Sequence, residues 1–205
     1  MLAALALLLG ATSCADKTAS VDNSEVAVIE TNYGKIVIEF VPDAAPRHVA
    51  NFKELVHEHS YEGTKFHRLV KNKDRPIAIQ GGDPNTISGD VSTWGQGQPG
   101  QKTVPAEFSA RYSHARGAVS AARRGDDVNS ATSQFFICTA PNPSWDGQYT
   151  IFGRVIDGMN VVDSIANAPL VPGTDRPSDP VVITRVTLVK REQAGVPQKA
   201  EGGKQ

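Results

Sequence analysis

Two side chains set the chemical question. Arg68 sits inside a short β-prone arm, Phe66 to Val70, and Gln80 follows a second one, Ile77 to Ile79. A charged connector, Lys71 to Pro76, separates them, and Gly81-Gly82-Asp83-Pro84 then breaks the pattern. Arginine cannot lose its charge, so Arg68 can act only as a fixed cation and hydrogen-bond donor. A cation on a strand is usually a solvated, outward residue, so its surroundings must decide its role. Other chemistry is thin. His57 and His59 stand two apart, point to different helix faces and read as surface histidines rather than a metal pair. Arg123 and Arg124 are followed by Asp126 and Asp127; the charges nearly cancel, and a phosphate role has little support. Cys138, next to Phe135, Phe136 and Ile137, reads as a small buried hydrophobe. No Ser-His-Asp set, metal cluster or cofactor is needed to account for the chain.

The elements that position these groups are short. Val26–Thr31 and Lys35–Phe40 read as strands joined through Asn32-Tyr33-Gly34. Ile36, Ile38 and Phe40 fall on one face of the second strand, with Lys35, Val37 and Glu39 on the other. Pro46 opens a helix to about Glu58, with Val49, Phe52, Lys53 and Val56 at helical spacing. Asn85 to Thr103 is a long polar segment around a lone Trp94, and loops of that length tend to be functional. Pro105 to Phe108 suggests a brief helical turn. Gly117–Ala122, Gln134–Cys138, Tyr149–Val155 and Val181–Val189 read as further strands, and Gly158–Ala166 as a second helix. About eight strands and two helices without βαβ alternation predict an all-β fold, a closed eight-stranded antiparallel barrel capped by two α-helices.

Composition agrees. The 18 glycines, 13 prolines and 6% aromatics suit short elements joined by turns better than a helical bundle. A net charge of −1 gives no electrostatic case for nucleic acid or an acidic membrane surface. With 205 residues, one domain is the default, with two possible. No oligomer is indicated, and a monomer is expected.

The ends read differently. Met1 to Leu9 is too short to span a bilayer but suits a signal-peptide core. Small residues then lead to Cys14, and Gly10-Ala11-Thr12-Ser13-Cys14 resembles the lipobox of bacterial lipoproteins. That resemblance implies cleavage, acylation of Cys14, and an exported protein that is periplasmic or outer-membrane-anchored, touching membrane only through its N-terminal lipid. Ala11 stands where the family usually has Leu, and no Lys or Arg precedes the apolar core. The plain alternative is an ordinary cleaved signal peptide. Residues 15–25 read as a flexible tether, 26–189 as the folded domain, and 190–205 as a disordered tail.

The domain resembles the cyclophilins, the peptidyl-prolyl cis–trans isomerases. The likeness rests on Ala45-Pro46 with Val49-Ala50-Asn51-Phe52, on Phe66-His67-Arg68, on Gln80-Gly81-Gly82-Asp83, on Asn129 to Ile137, and on Phe152-Gly153-Arg154-Val155. It implies a groove on the outer barrel surface that accepts proline-containing polypeptides. Arg68 stands at the family's essential arginine and Gln80 at its substrate-contacting glutamine. The resemblance implies substrate-binding roles for Phe66, Ile77, Ala78, Ala122, Arg123, Gln134, Phe136, Trp145 and Tyr149. Three departures stand out. Ile77 and Ala78 replace larger residues, implying a shallower proline pocket. Ser144-Trp145 precedes Asp146-Gly147 with the tryptophan one place later than usual, implying weak inhibition by cyclosporin. Tyr149 replaces a histidine. The Arg68–Gln80 spacing also exceeds the family's, and the surplus is placed in an enlarged 71–76 turn that keeps both arms in register.

An X–Pro bond turns slowly because rotation breaks amide resonance, a barrier of ~18–20 kcal/mol. In the twisted state the proline nitrogen becomes an acceptor, and a fixed guanidinium can bind it there. The same groove could instead serve a non-catalytic module that docks extended Pro-containing segments. A scaffold-only barrel would pair Arg68 with an acid such as Glu107 or Asp83.

Overall fold

The computed structural model describes residues 24–196. Cys14, the signal segment, most of the tether and residues 197–205 lie outside the described residues. The elements are β1 (Glu25–Thr31), β2 (Gly34–Phe40), α1 (Pro46–His57), β3 (Arg68–Asn72), β4 (Arg75–Gly81), α2 (Asn85–Ser88), β5 (Ala118–Ala121), β6 (Phe135–Cys138), β7 (Ile151–Asp157), α3 (Met159–Ala166) and β8 (Ile183–Lys190). All eight strands form one antiparallel sheet, in the order β3-β4-β6-β5-β7-β2-β1-β8.

The expected closed barrel is corrected to an open, curled sheet, because the edge strands β3 and β8 do not pair. The seam is crossed instead by the segment before β3. Gly63 N–H donates to Ile183 O, Ile183 N–H to Thr64 O and Phe66 N–H to Val181 O, at 2.8–2.9 Å. Pro177 and Pro180 lie just before β8 and have no N–H to add to a ladder. The β3 edge is covered by a loop: Leu69 N–H donates to Asp175 O at 2.7 Å.

Side chains alternate across each strand, so the inner and outer faces carry different residues. The inner face holds Ile29, Ile38, Leu69, Ile79, Val119 and Ile137, and α1 and α3 pack on it through Val49, Phe52, Val162 and Ile165. Phe52 is the aromatic centre, with the rings of Phe40, Tyr61, Phe135 and Phe152 all within 4.8–5.8 Å. The helix count becomes three, because Asn85–Ser88 forms a short turn inside the long polar segment. Asp83 Oδ1 starts it by accepting the Asn85 N–H at 3.0 Å.

Pro105 to Phe108 is not helical. Its backbone donors go elsewhere: Ala106 N–H to Asn129 Oδ1 and Glu107 N–H to Thr150 Oγ1. Glu107 is thereby fixed at the start of α1, where Ala45 offers no side-chain cap. Its carboxylate accepts the N–H groups of Arg47 (3.1 Å) and His48 (3.0 Å) and meets His48 Nδ1 at 2.7 Å. Burial opposes ionisation of Glu107, but these hydrogen bonds together hold its carboxyl below the usual range.

The domain limits also move. Glu25 already belongs to β1, and β8 runs through Lys190 into a 3-10 turn, Arg191–Ala194. The reason is apolar surface on the outer face. Val26, Val28 and Val37 point away from the main core and are covered by Ala194 and Val196.

Candidate active site

The candidate site occupies the outer face of β3, β4, β6 and β5. The register sets Arg68 opposite Gln80, Gln80 opposite Phe136, and Phe136 opposite Ser120. These four residues form one cross-strand row. The β3–β4 hairpin keeps both arms aligned and places its irregularity between Val70 and Lys71, where Ile77 is the extra residue. The 71–76 segment extends the strands outward to a tight turn in which Lys73 has φ 54°. The glycines after Gln80 are needed for close approach. A Cβ on Gly81 would meet Phe66 Cδ1 at 2.9 Å, and Gly82 combines φ +79° with Ser133 O at 2.9 Å.

Phe136 is walled by aromatic rings. Trp145 and Tyr149 meet it edge to face, with centroids at 5.1 and 5.4 Å, and His114 stacks on it at 6.0 Å. Ala78, Ala122 and Val70 complete the apolar cluster. His114 is buried, and its Nδ1 lies 2.7 Å from Asp146 Oδ1, which fixes the segment carrying Trp145 and Tyr149. Burial pushes the His114 pKa down, so the ring is neutral and donates through Nδ1.

Gln80 is held by a relay. Its Nε2 donates to Gln134 Oε1 at 3.0 Å, and Gln134 Nε2 donates to Gly95 O at 3.1 Å. Gly95 is in turn tied to the buried carboxylate of Asp83. The relay leaves Gln80 Oε1 and its second N–H available to a ligand. Arg68 is 51% exposed, and its Nε lies 3.5 Å from Asp175 Oδ2; it pairs with neither Glu107 nor Asp83. Asp83 spends its carboxylate on the Asn85, Gly95 and Gly97 N–H groups.

The structure thus brings together Arg68, Gln80, Ala78, Ala122, Gln134, Phe136, Trp145 and Tyr149. Arg123 stands at the rim, 4.8 Å over the Tyr149 ring, with its guanidinium donating to the carbonyls of Gln148 and Arg124. It shares with Gln80, Ala122 and Gln134 a polar cavity of about 580 Å³ next to the apolar wall. Two expected residues are elsewhere. Phe66 is an inner-core residue against Phe135: it lies ahead of β3, in the segment that crosses the seam, so the alternation of β3 does not set its side. Ile77 falls at the bulge and is absent from the cluster around Phe136. Sequence reasoning missed His114, Gly95 and Asp175. Only the unusual length of the polar segment hinted that the 85–103 region borders the site.

Residues 26–188 match the family model described as "Cyclophilin type peptidyl-prolyl cis-trans isomerase/CLD". The "Probable peptidyl-prolyl cis-trans isomerase" of Brucella abortus is 38% identical over 165 residues, covering 78% of this chain and 80% of that protein. The "Peptidyl-prolyl cis-trans isomerase-like 2" of Gibberella zeae is 36% identical over 165 residues, covering 80% of this chain but only 26% of the fungal protein. This chain therefore spans about a quarter of the length of such fungal relatives. Among solved structures, a Cryptosporidium parvum cyclophilin crystallised in the presence of dipeptide ala-pro aligns with TM-score 0.70 and 29% identity, over 81% of this chain and 99% of that one. The cyclophilin AquaCyp293 from Hirschia baltica aligns with TM-score 0.64 and 25% identity, over 82% of this chain and 74% of that one. With its fold, its outer-face row and these matches on record, the chain belongs to the cyclophilin-type peptidyl-prolyl cis–trans isomerase family.

Proposed function

We propose that this protein accelerates rotation about X–Pro bonds in polypeptides, with the proline ring against Phe136 and the scissionless twist of its amide taking place over Gln80 and Arg68. The observation that carries this reading is the row Arg68–Gln80–Phe136, which sets a permanent donor, an amide and an apolar wall side by side. The planar amide nitrogen offers no lone pair; the twisted one does, so an Arg68 N–H gains an acceptor only in the transition state. The twisted amide is also less polar than the planar one, which suits the aromatic wall. Gln80, oriented by Gln134, holds the carbonyl side. No covalent bond forms or breaks.

The test follows cis-to-trans relaxation of an Ala-Pro-Phe peptide with wild type and Arg68→Ala. Loss of one transition-state donor should cost about 10²–10³-fold in rate. Equal rates for the two proteins would overturn the mechanism, and binding without acceleration would instead favour a docking module.

The cellular role belongs to the same proposal: a monomer that assists folding of exported proteins, held at a membrane by acylated Cys14. It is supported by the apolar segment before Cys14 and the small residues leading to it. Intact mass of the membrane fraction from native cells should show a mature form beginning at acylated Cys14. A water-soluble mature form starting elsewhere would remove the anchor.

A further inference from the structure

A second cleft, of about 480 Å³, opens at the β3 end of the catalytic row. It is lined by Arg68 and Gln80 from the row, and by Trp94, Gln96, Asp175 and Arg176 from two loops. Phe136 is not part of it. The Trp94 ring is held by its Nε1–H, which donates to Gly89 O at 3.2 Å. Two cations sit against that ring: Lys65 Nζ at 5.4 Å and the Arg176 guanidinium at 5.7 Å from its centroid. The Lys65 ammonium donates to Thr86 O. Among the described residues, no carboxylate pairs with either Lys65 or Arg176. Asp175 is the only acid lining the cleft, and it faces Arg68.

This balance points to a ligand charge. Arg176 presents up to five N–H donors that the protein leaves without an acid. The Trp94 face can cover the methylene stem of a side chain whose head reaches Arg176. A basic residue entering here would add to cations already in place. The polypeptide lying along the row supplies the occupant. The β3 and β6 strands are two spacings apart, about 10 Å, so an extended chain reaches this cleft about three residues from its proline.

We propose that the Trp94–Arg176 cleft is a specificity site for an aspartate or glutamate of the substrate polypeptide, about three residues from the proline. It rests on the isomerase reading for the placement of the chain, and it names the class of substrate that reading leaves open.

The experiment compares kcat/KM for matched Pro peptides carrying Glu, Gln or Lys at the third position on either side of proline. On the side that reaches the cleft, Glu should exceed Gln by about three- to fivefold, mainly through KM, and added salt should shrink the difference. In Arg176→Gln the Glu-to-Gln ratio should fall toward one. In Arg176→Glu the preference should turn toward the Lys peptide, which a misfolded protein cannot do. Equal use of Glu and Gln peptides on both sides by wild type, or a Glu preference that survives Arg176→Glu, would overturn the proposal. A failed isomerase reading is seen separately, as no acceleration of any peptide. The cleft is then read by binding: Trp145→Phe leaves Trp94 as the sole tryptophan, and its fluorescence should respond to the Glu peptide at lower concentration than to the Gln peptide. Identical titrations would sink it.

Discussion

Arg68 is placed by its backbone more than by its side chain. The ladder to Gln80 and the bond from Leu69 N–H to Asp175 O fix where the arginine begins. The guanidinium has one long contact, with Asp175, and both partners are about half exposed. Such a pair is worth at most about 1 kcal/mol, so Asp175 does not lock the donor away from a substrate. The loss expected for Arg68→Ala is equivalent to about 2.7–4 kcal/mol, what one preorganised donor supplies elsewhere. Whatever acceleration survives in that variant measures the aromatic wall and the Gln80 relay. At this scale the sequence was readable where the side chain itself forms the candidate row: Arg68, Gln80, Gln134 and Phe136 are distinctive types in distinctive runs. It was opaque where a backbone atom or a distant partner acts. Gly95 contributes a carbonyl, and Asp175 and His114 arrive from loops with no periodic pattern. Phe66 misled because an aromatic next to His67-Arg68 suits a groove as well as a core.

The elements show a different kind of dependence. Helix α1 has no local cap, and Glu107, from a loop distant in sequence, accepts the N–H groups of its first turn instead. Replacing Glu107 with Ala removes two helix-end acceptors and leaves His48 Nδ1 without its carboxylate. The expected cost is about 1–3 kcal/mol. For a chain of this size that is a fall in Tm of about 2–4 °C per kcal/mol. Thermal unfolding followed by circular dichroism checks it, and an unchanged Tm would show that α1 needs no remote cap. The strands were legible because their alternation is clean: Ile36, Ile38 and Phe40 turn inward, and Val37 outward. Closure was not, since it depends on whether two edge strands meet, and residues 63–66 take the place that β3 would need. The 190–196 segment was also hidden. Its Ala194 and Val196 acquire meaning only beside the outward-facing valines of β1 and β2, which they cover.

For the whole molecule, three buried histidines set a pH limit. His48, His67 and His114 each have a lowered pKa, with burial the largest cause. Below about pH 6.5 the unfolded chain takes up protons at these rings before the native protein does. Stability present above that point is therefore lost as pH falls through the lowered native values. Glu107 and Asp146, both with depressed pKa, are protonated in the native state only at lower pH and extend the loss into the acid range. Urea midpoints should drop steadily from about pH 7.5 to 5; a flat or rising series would contradict this account.

The sheet order has one more consequence, for timing. Among the described residues β1, the first strand in chain order, is flanked by β2 and by β8, the last. Until β8 has been synthesised, one edge of β1 is bare and the seam bonds to residues 181–183 cannot form. The Arg68–Gln80 hairpin can assemble early from local contacts, but the loop that covers its outer edge lies at residues 174–176. The working surface is therefore finished only after the segment carrying β8 is in place, and a nascent copy has to be kept from neighbouring strands until then.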